Sequence, residues 1–303
     1  MANTIDAGLQ LDTVLDTIFT AFKRAIAPLR TFSTVFSNVP LQGSGVVNVA
    51  YYPLVTTASG DFTTSYSALA HNTATEIRQV TVNKRKAQVI SFTSSERARQ
   101  PYFDPVKHGQ LMADKLVYDV MADILSVVTA ANYPGSTIAA SASTAFDEND
   151  VADLAQKCME DFWPAGGRGL VLNPAFWYAV VRRPIIIEVD EHGATTGQRD
   201  GDFSRLLGFD AYGSAGVPVN GAEKLAGFAA MPSAILVASA PIPPSDPVRA
   251  VMSDYRQLSD ESGIALEYRM FGDADKDTAY QVVEFNYGYA KGEGAALKRI
   301  TTP

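Results

Sequence analysis

The chain has 303 residues, 47% of them hydrophobic and 19% charged, enough apolar side chain for one large or two smaller folded units. Its net charge of -8, from 25 Lys and Arg against 33 Asp and Glu, argues against phosphate-led nucleic-acid binding, which needs clustered cations to displace counterions. One cysteine, Cys158, excludes an intramolecular disulfide and a cysteine-built zinc cage, and neither a signal-peptide pattern nor a run of about 18 apolar residues points to secretion or a membrane.

Residues 5–27 carry apolar side chains at 3/4 spacing (Leu11, Val14, Leu15, Ile18, Phe19, Phe22, Ile26), which predicts an amphipathic helix ended by Pro28. Its apolar face must pack either on the chain's own core or, as an arm, on a neighbouring subunit. From Val46 to Thr93 there is no helical period, and Thr, Val, Tyr and Ser predominate. Strands are expected at 46–52, 76–82 and 87–93, with a turn at Ser59-Gly60-Asp61. The segment has few large apolar anchors, so it reads as a long projecting hairpin or as a sheet edge with long loops. Its basic run Lys84-Arg85-Lys86 reads as a solvated edge that discourages unwanted pairing, or as a charged tip that meets acidic patches on a neighbour.

Asp104-Pro105 opens the clearest helix, with Asp as N-cap and Pro at the first helical position. The stripe Ala113, Leu116, Val117, Val120, Ile124, Val127, Val128, Ala131 carries it across 104–131, where Asn132-Tyr133-Pro134-Gly135 breaks it. At 1.5 Å per residue that is roughly 42 Å, a spine crossing most of a body of this size. After a small-residue linker, Asp147 caps a helix with Val151, Leu154, Cys158, Met159 and Phe162 on one face. A short buried strand (168–173), a helix from Pro174 and a polar loop at 188–204 follow. Strands are expected near 208–214 and 225–230, an apolar run at 233–238, and a break at Pro241-Ile242-Pro243-Pro244. The last sixty residues alternate as a β-meander through Ile264–Met270, Tyr280–Tyr287 and Ala295–Thr301.

No catalytic motif survives inspection. Asp273, Asp275, Asp277 and Glu284 match calcium-loop positions, but Thr278 stands where the turn needs Gly and the flanks are strand-like, so a polar hairpin turn is expected. Gly166-Gly167-Arg168-Gly169 precedes a strand, whereas a phosphate loop follows one and opens a helix. Cys158 lies on an apolar face and reads as an inert thiol, and Trp163 and Trp177 read as core. His71, His108 and His192 are scattered, and Asp190-Glu191 and Asp260-Glu261 are adjacent pairs suited to solvated turns.

This order of elements resembles the major capsid proteins of tailed bacteriophages, the Hong Kong 97-type fold, over nearly the whole chain. The segment FDPVKHGQLMADKLVYDVMADILSVV looks like that family's spine helix. DVADLAQKCMEDFWPAGGRGLVLNPAFWYAVVRRP is similar to its axial-domain opening, and GFDAYGSAGVP with LAGFAAMPSAILVA to that domain's later elements. SGIALEYRMFGDADKDTAYQVVEFNYGYAKGEGAALKRIT resembles its closing strands. The resemblance implies an α+β chain with an N-terminal arm (1–45), an extended E-loop hairpin (46–95), a peripheral domain (96–145 and 248–303) containing the spine helix (104–131), and an axial domain (146–247).

What the resemblance implies functionally is a structural subunit, not an enzyme, with no cofactor and no metal. It implies hexamers and pentamers of the same chain in an icosahedral virion shell, assembled in the host cytoplasm, that encloses double-stranded DNA without reading sequence. Only about forty residues precede the first strand, so a separate scaffolding protein, or none, is expected beside the portal, and a decoration protein is admitted. Phe19, Phe22, Phe62, Tyr66, Lys84, Arg85 and Lys86 are the candidates for contacts between subunits. Lys84 or Lys86 sits where some members form a covalent cross-link, but no partner Asn can be mapped, and none is expected. A bacterial encapsulin is the alternative with the same fold. The remote alternative is an α+β enzyme using Asp190, Glu191, His192 and Asp200 of the polar loop.

Overall fold

The computed structural model describes residues 7–26, 28–29, 34–36, 45–54, 61, 76–99, 105–135, 138–139, 142–182, 205–218, 224–259 and 261–302. In chain order the elements are α1 (Ala7–Ile26), β1 (Thr34–Phe36), β2 (Val46–Tyr51), β3 (Glu76–Thr81), β4 (Lys84–Thr93), α2 (Ser94–Arg99) and α3 (Pro105–Leu125). Next come β5 (Ile138–Ala139), α4 (Glu148–Glu160), β6 (Arg168–Leu172), α5 (Pro174–Val181), β7 (Arg205–Leu206), β8 (Phe209–Gly213), β9 (Leu225–Ala230) and β10 (Ile235–Ser239). The chain closes with α6 (Asp246–Ala250), β11 (Asp254–Ser259), β12 (Ala265–Asp273), β13 (Thr278–Lys291) and β14 (Leu297–Thr301).

Two six-stranded sheets organise the molecule. In the first, the 14-residue β13 is the axis. One edge pairs with β12 and then β10, the other with β4, all antiparallel, and β11 and β1 flank them. The second sheet runs β5-β14-β9-β6-β8-β7. β2 and β3 form a separate antiparallel hairpin. Side chains alternate along a strand, so Val283, Phe285 and Tyr287 of β13 face the helices and are fully buried. α1 and α3 cover that face: Phe22 sits against Phe285 with ring centroids 5.1 Å apart. The two helices cross at Gly109, where an added Cβ would lie 2.4 Å from Ile18 Cδ1.

Local chemistry sets the helix ends. Asp147 accepts from the backbone N–H groups of Asn149 and Asp150, and Asp150 returns a bond to the Asp147 N–H, a reciprocal capping box for α4. Asn173 Oδ1 accepts from Phe176 N at 3.1 Å and Pro174 opens α5. The turn at 273–277 joins β12 to β13 as a hairpin, as the sequence predicts.

Several expectations need correction. The spine helix stops at Leu125, not 131. Ser126 Oγ donates to Asp123 O, Asn132 Nδ2 takes Val127 O, and the backbone tightens into i→i−3 bonds at 126–128. Strand β4 starts at Lys84 and belongs to the first sheet, not to the projecting hairpin. The expected boundary at 247/248 is crossed twice: β10 joins β13 in the first sheet, and β14 joins β9 in the second. Met159 and Phe162 lie outside the core: Met159 faces solvent on the last turn of α4, and Phe162 follows the helix end at Glu160 in a left-handed conformation.

Candidate functional site

The groups that distinguish this chain gather at the root of the hairpin. The face of β2–β3 carrying Val49, Tyr51 and Val80 packs with Val82 on Leu236 and Ala238 of β10, a second small core. Close approach is possible because residue 288 is glycine: an added Cβ there would lie 2.0 Å from Thr81 O. Arg78 donates to Lys291 O at 3.0 Å and stacks over Tyr51, whose hydroxyl donates to Glu76.

Two residues later β4 begins, and its side chains alternate between two polar clusters. On the helix side, Lys84 Nζ donates to Asp123 Oδ1 and Oδ2 at 2.9 and 2.8 Å and to Tyr289 Oη at 2.8 Å. Tyr287 Oη donates to Asp123 Oδ2 at 2.7 Å. Burial pushes the Asp123 carboxyl up, but the bonds from Lys84 and Tyr287 prevail and hold it below the usual carboxylate range. Burial also lowers Lys84, and the Asp123 and Tyr289 contacts more than offset it, so its ammonium is held above its ordinary value.

On the opposite face, Arg85 Nε donates to Glu284 Oε2 at 2.8 Å, and Arg269 Nη2 lies 2.5 Å from Glu284 Oε1. Glu267 accepts from Tyr255 Oη at 2.7 Å, from Ile242 N at 3.2 Å and from Asn286 Nδ2. Arg269 donates to Ile242 O at 3.0 Å. Glu267, Glu284 and Arg269 are buried, while Arg85 is half-exposed. Burial holds the Glu267 carboxyl above its usual range. Taking such charges out of water costs several kcal/mol per ion, which the ion pairs and hydrogen bonds of the cluster offset only in part, since Glu284 Oε1, Arg269 Nε and Asn286 Oδ1 are buried without a hydrogen-bond partner among the described residues.

The sequence candidates fall as follows. Phe22 is fully buried and Phe19 nearly so, with Lys23 over the Phe19 ring at 5.4 Å, so both belong to this chain's own core and are not offered to a neighbour. Lys84 and Arg85 are engaged within the chain, and the Lys86 charge acts on Asp123. These three therefore root a strand and form no tip. Phe62 and Tyr66, and Asp190, Glu191, His192 and Asp200 of the polar loop, lie outside the described residues. Cys158 is buried, which pushes its thiol up to about 11. Among the described residues no three His, Cys, Asp or Glu side chains could share a metal, and no helix is long and apolar enough to cross a membrane.

Sequence reasoning missed Asp123, Glu267, Arg269, Glu284 and Asn286. The signal for the strand residues was charged or amide side chains at alternate positions of apolar strands, Glu-Tyr-Arg in β12 and Glu-Phe-Asn in β13, and Asp123 follows the apolar stripe of α3 with no such signal.

Two six-stranded sheets, a spine helix packed with α1 on the first of them, and a hairpin hung from that sheet define an α+β architecture. The chain is similar to the capsid of cyanophage P-SCSP1u at TM-score 0.55 and 14% identity, over 91% of this chain and 87% of that one. It is similar to the mature capsid of bacteriophage PhiM1 at TM-score 0.51 and 10% identity, over 91% and 86%. A virus-like particle from Pyrococcus furiosus gives TM-score 0.50 and 12% identity, over 95% and 98%. No family model and no curated protein matches the sequence. The fold is the Hong Kong 97-type fold of tailed-phage capsid proteins.

Proposed function

We propose that this chain is a major capsid protein, the repeated subunit of an icosahedral shell that encloses the double-stranded DNA of a tailed bacteriophage. One observation carries the reading: the likeness to phage capsids spans about nine-tenths of each chain. The net charge of -8 suits a wall that must not bind the DNA it holds. In this reading copies associate as hexamers and pentamers, a scaffolding protein and a portal act in assembly, and the product is a virion capsid. In this reading the 46–95 segment corresponds to the E-loop, and Phe62 and Tyr66, outside the described residues, are candidates for its contacts with a neighbour. The subunit has a structural and not a catalytic role.

Negative-stain electron microscopy of the expressed protein, with size-exclusion chromatography, tests this. Closed particles or capsomer rings are expected, and a compact monomer at every concentration, both alone and co-expressed with the scaffolding protein, would overturn it. The E-loop assignment has its own test. Tyr51 and Glu76 are register partners, so Asn-Gly can join them as a two-residue hairpin turn. The shortened chain should fold and fail to make stable shells; normal shells would remove the clasp role.

A further inference from the structure

The two ends of α4 carry features that fit each other but cannot meet within one chain. At its C-terminal end Met159 and Phe162 stand 67% and 82% exposed. Phe162 has φ 57, a left-handed backbone that glycine adopts without steric cost and a bulky side chain rarely does. The conformation is held by a Schellman turn, Trp163 N to Cys158 O at 2.9 Å and Phe162 N to Met159 O at 3.0 Å. The platform beneath is rigid. Trp163 Nε1 donates to Ala295 O, Arg168 donates to the carbonyls of Trp163 and Pro164, and buried Lys298 pairs with Asp161. Exposed aromatic surface on a strained, over-determined support marks a contact, since packing within the chain does not need it.

At the other end of α4, where Phe146 packs edge-on against Phe176 at 5.2 Å, a cavity of about 720 Å³ opens. Thr144, Pro174, Ala175, Tyr178, Ala179 and Arg182 line it. Tyr178 is 55% exposed. The lining holds one charge, the Arg182 cation, whereas exposed Glu160, which accepts from Gln156 Nε2 at 2.9 Å, comes two residues before Phe162. The apolar-acidic knob and the mixed, basic cavity are separated by the thirteen residues of α4, roughly 20 Å at 1.5 Å per residue.

We propose that Met159 and Phe162 of one copy seat in the Tyr178–Arg182 cavity of the next, with Glu160 meeting Arg182, so that the second half of the chain associates head to tail. Such a contact uses two different surfaces of each subunit and closes into a ring when the rotation between copies permits. The proposal rests on the shell reading and adds the residues that join neighbours within one ring.

Three measurements test it on the full chain. Phe162→Gly relieves the left-handed strain, so its melting temperature should hold or rise while the concentration needed for assembly increases at least about tenfold, as for loss of one central aromatic anchor. Glu160→Arg and Arg182→Glu should each impair assembly, and the two together should restore it. The pair Phe162→Cys with Tyr178→Cys should form disulfides between subunits on oxidation, with Cys158 buried and inert. Wild-type assembly with an unaffected Phe162→Gly chain and no intersubunit disulfide would overturn the knob and leave the shell reading intact. A wild-type chain that stays monomeric throughout, alone and co-expressed with the scaffolding protein, would overturn both.

Discussion

Lys84 Nζ lies 2.8 Å from Asp123 Oδ2, tying the first residue of β4 to the last turns of α3. The tie connects the strand that leaves the hairpin to the helix that supports the first sheet. Its pH window follows from its two partners. Asp123 is depressed, so its contribution is present above the unfolded value near 3.9 and is lost as pH falls through the lower folded value. Lys84 is raised, so its contribution is full below the unfolded value near 10.4 and is lost as pH rises through the higher folded value. Lys84→Met should cost about 1 kcal/mol between those limits, because both side chains are partly exposed. The gap to wild type in urea unfolding should close at either extreme; a gap independent of pH would contradict the assignment.

Arg269 neutralises two buried carboxylates at once. Arg269→Met leaves Glu267 and Glu284 without that cation and should destabilise the chain by about 3–5 kcal/mol. Thermal unfolding at neutral pH measures this, and a loss under 1 kcal/mol would mean the charges are not buried as described. Glu267 behaves oppositely to Asp123 with pH. Its folded value is raised, so its contribution is full below the unfolded value near 4.3 and declines as pH rises through the folded one. The stability of wild type relative to Glu267→Gln should therefore fall as pH rises.

Gly288→Ala places a methyl group where the Thr81 carbonyl lies. Backbone cannot yield as a side-chain tip can, so the cost should exceed the about 1–3 kcal/mol of ordinary overpacking. Limited proteolysis should show cleavage at β2–β3 before the rest of the chain is cut. Uniform resistance would show that the hairpin does not depend on this approach.

Phe22→Ala should cost about 3–5 kcal/mol in the isolated subunit, the range for a large aromatic removed from a core. An arm that packed only on a neighbour would leave monomer stability unchanged and affect assembly alone. Denaturant unfolding of unassembled protein separates the two.

Much of the layout was legible because it is local. The stripe Leu116, Val117, Val120, Ile124 and the initiating Pro105 mark α3, Asp147 and Asn173 mark the starts of α4 and α5, and alternation through Tyr268 and Phe285 marks β12 and β13. The missed features are not local. Lys84 pairs with Tyr287 across 203 positions of chain, and nothing in either segment names the other. Arg85 and Glu284 read as surface charges until the ladder brings them together. Phe162 continues the helical stripe of Val151, Leu154 and Cys158 in sequence, yet one left-handed residue puts it outside. Phe22 was legible as apolar, but the covering surface, Phe285, lies in the last strands of the chain.

The long ladder between β4 and β13 has a mechanical meaning. β3 runs into β4 across only Val82 and Asn83, so tension on the far end of the hairpin is delivered lengthwise along β4. All ten residues of β4 are in register with β13, and the ladder's hydrogen bonds lie across the direction of pull. They must therefore yield together and cannot open one at a time. The anchorage resists a lengthwise pull far better than its equilibrium stability alone would suggest, so a load on the hairpin would strain the chain there without unravelling it at β13.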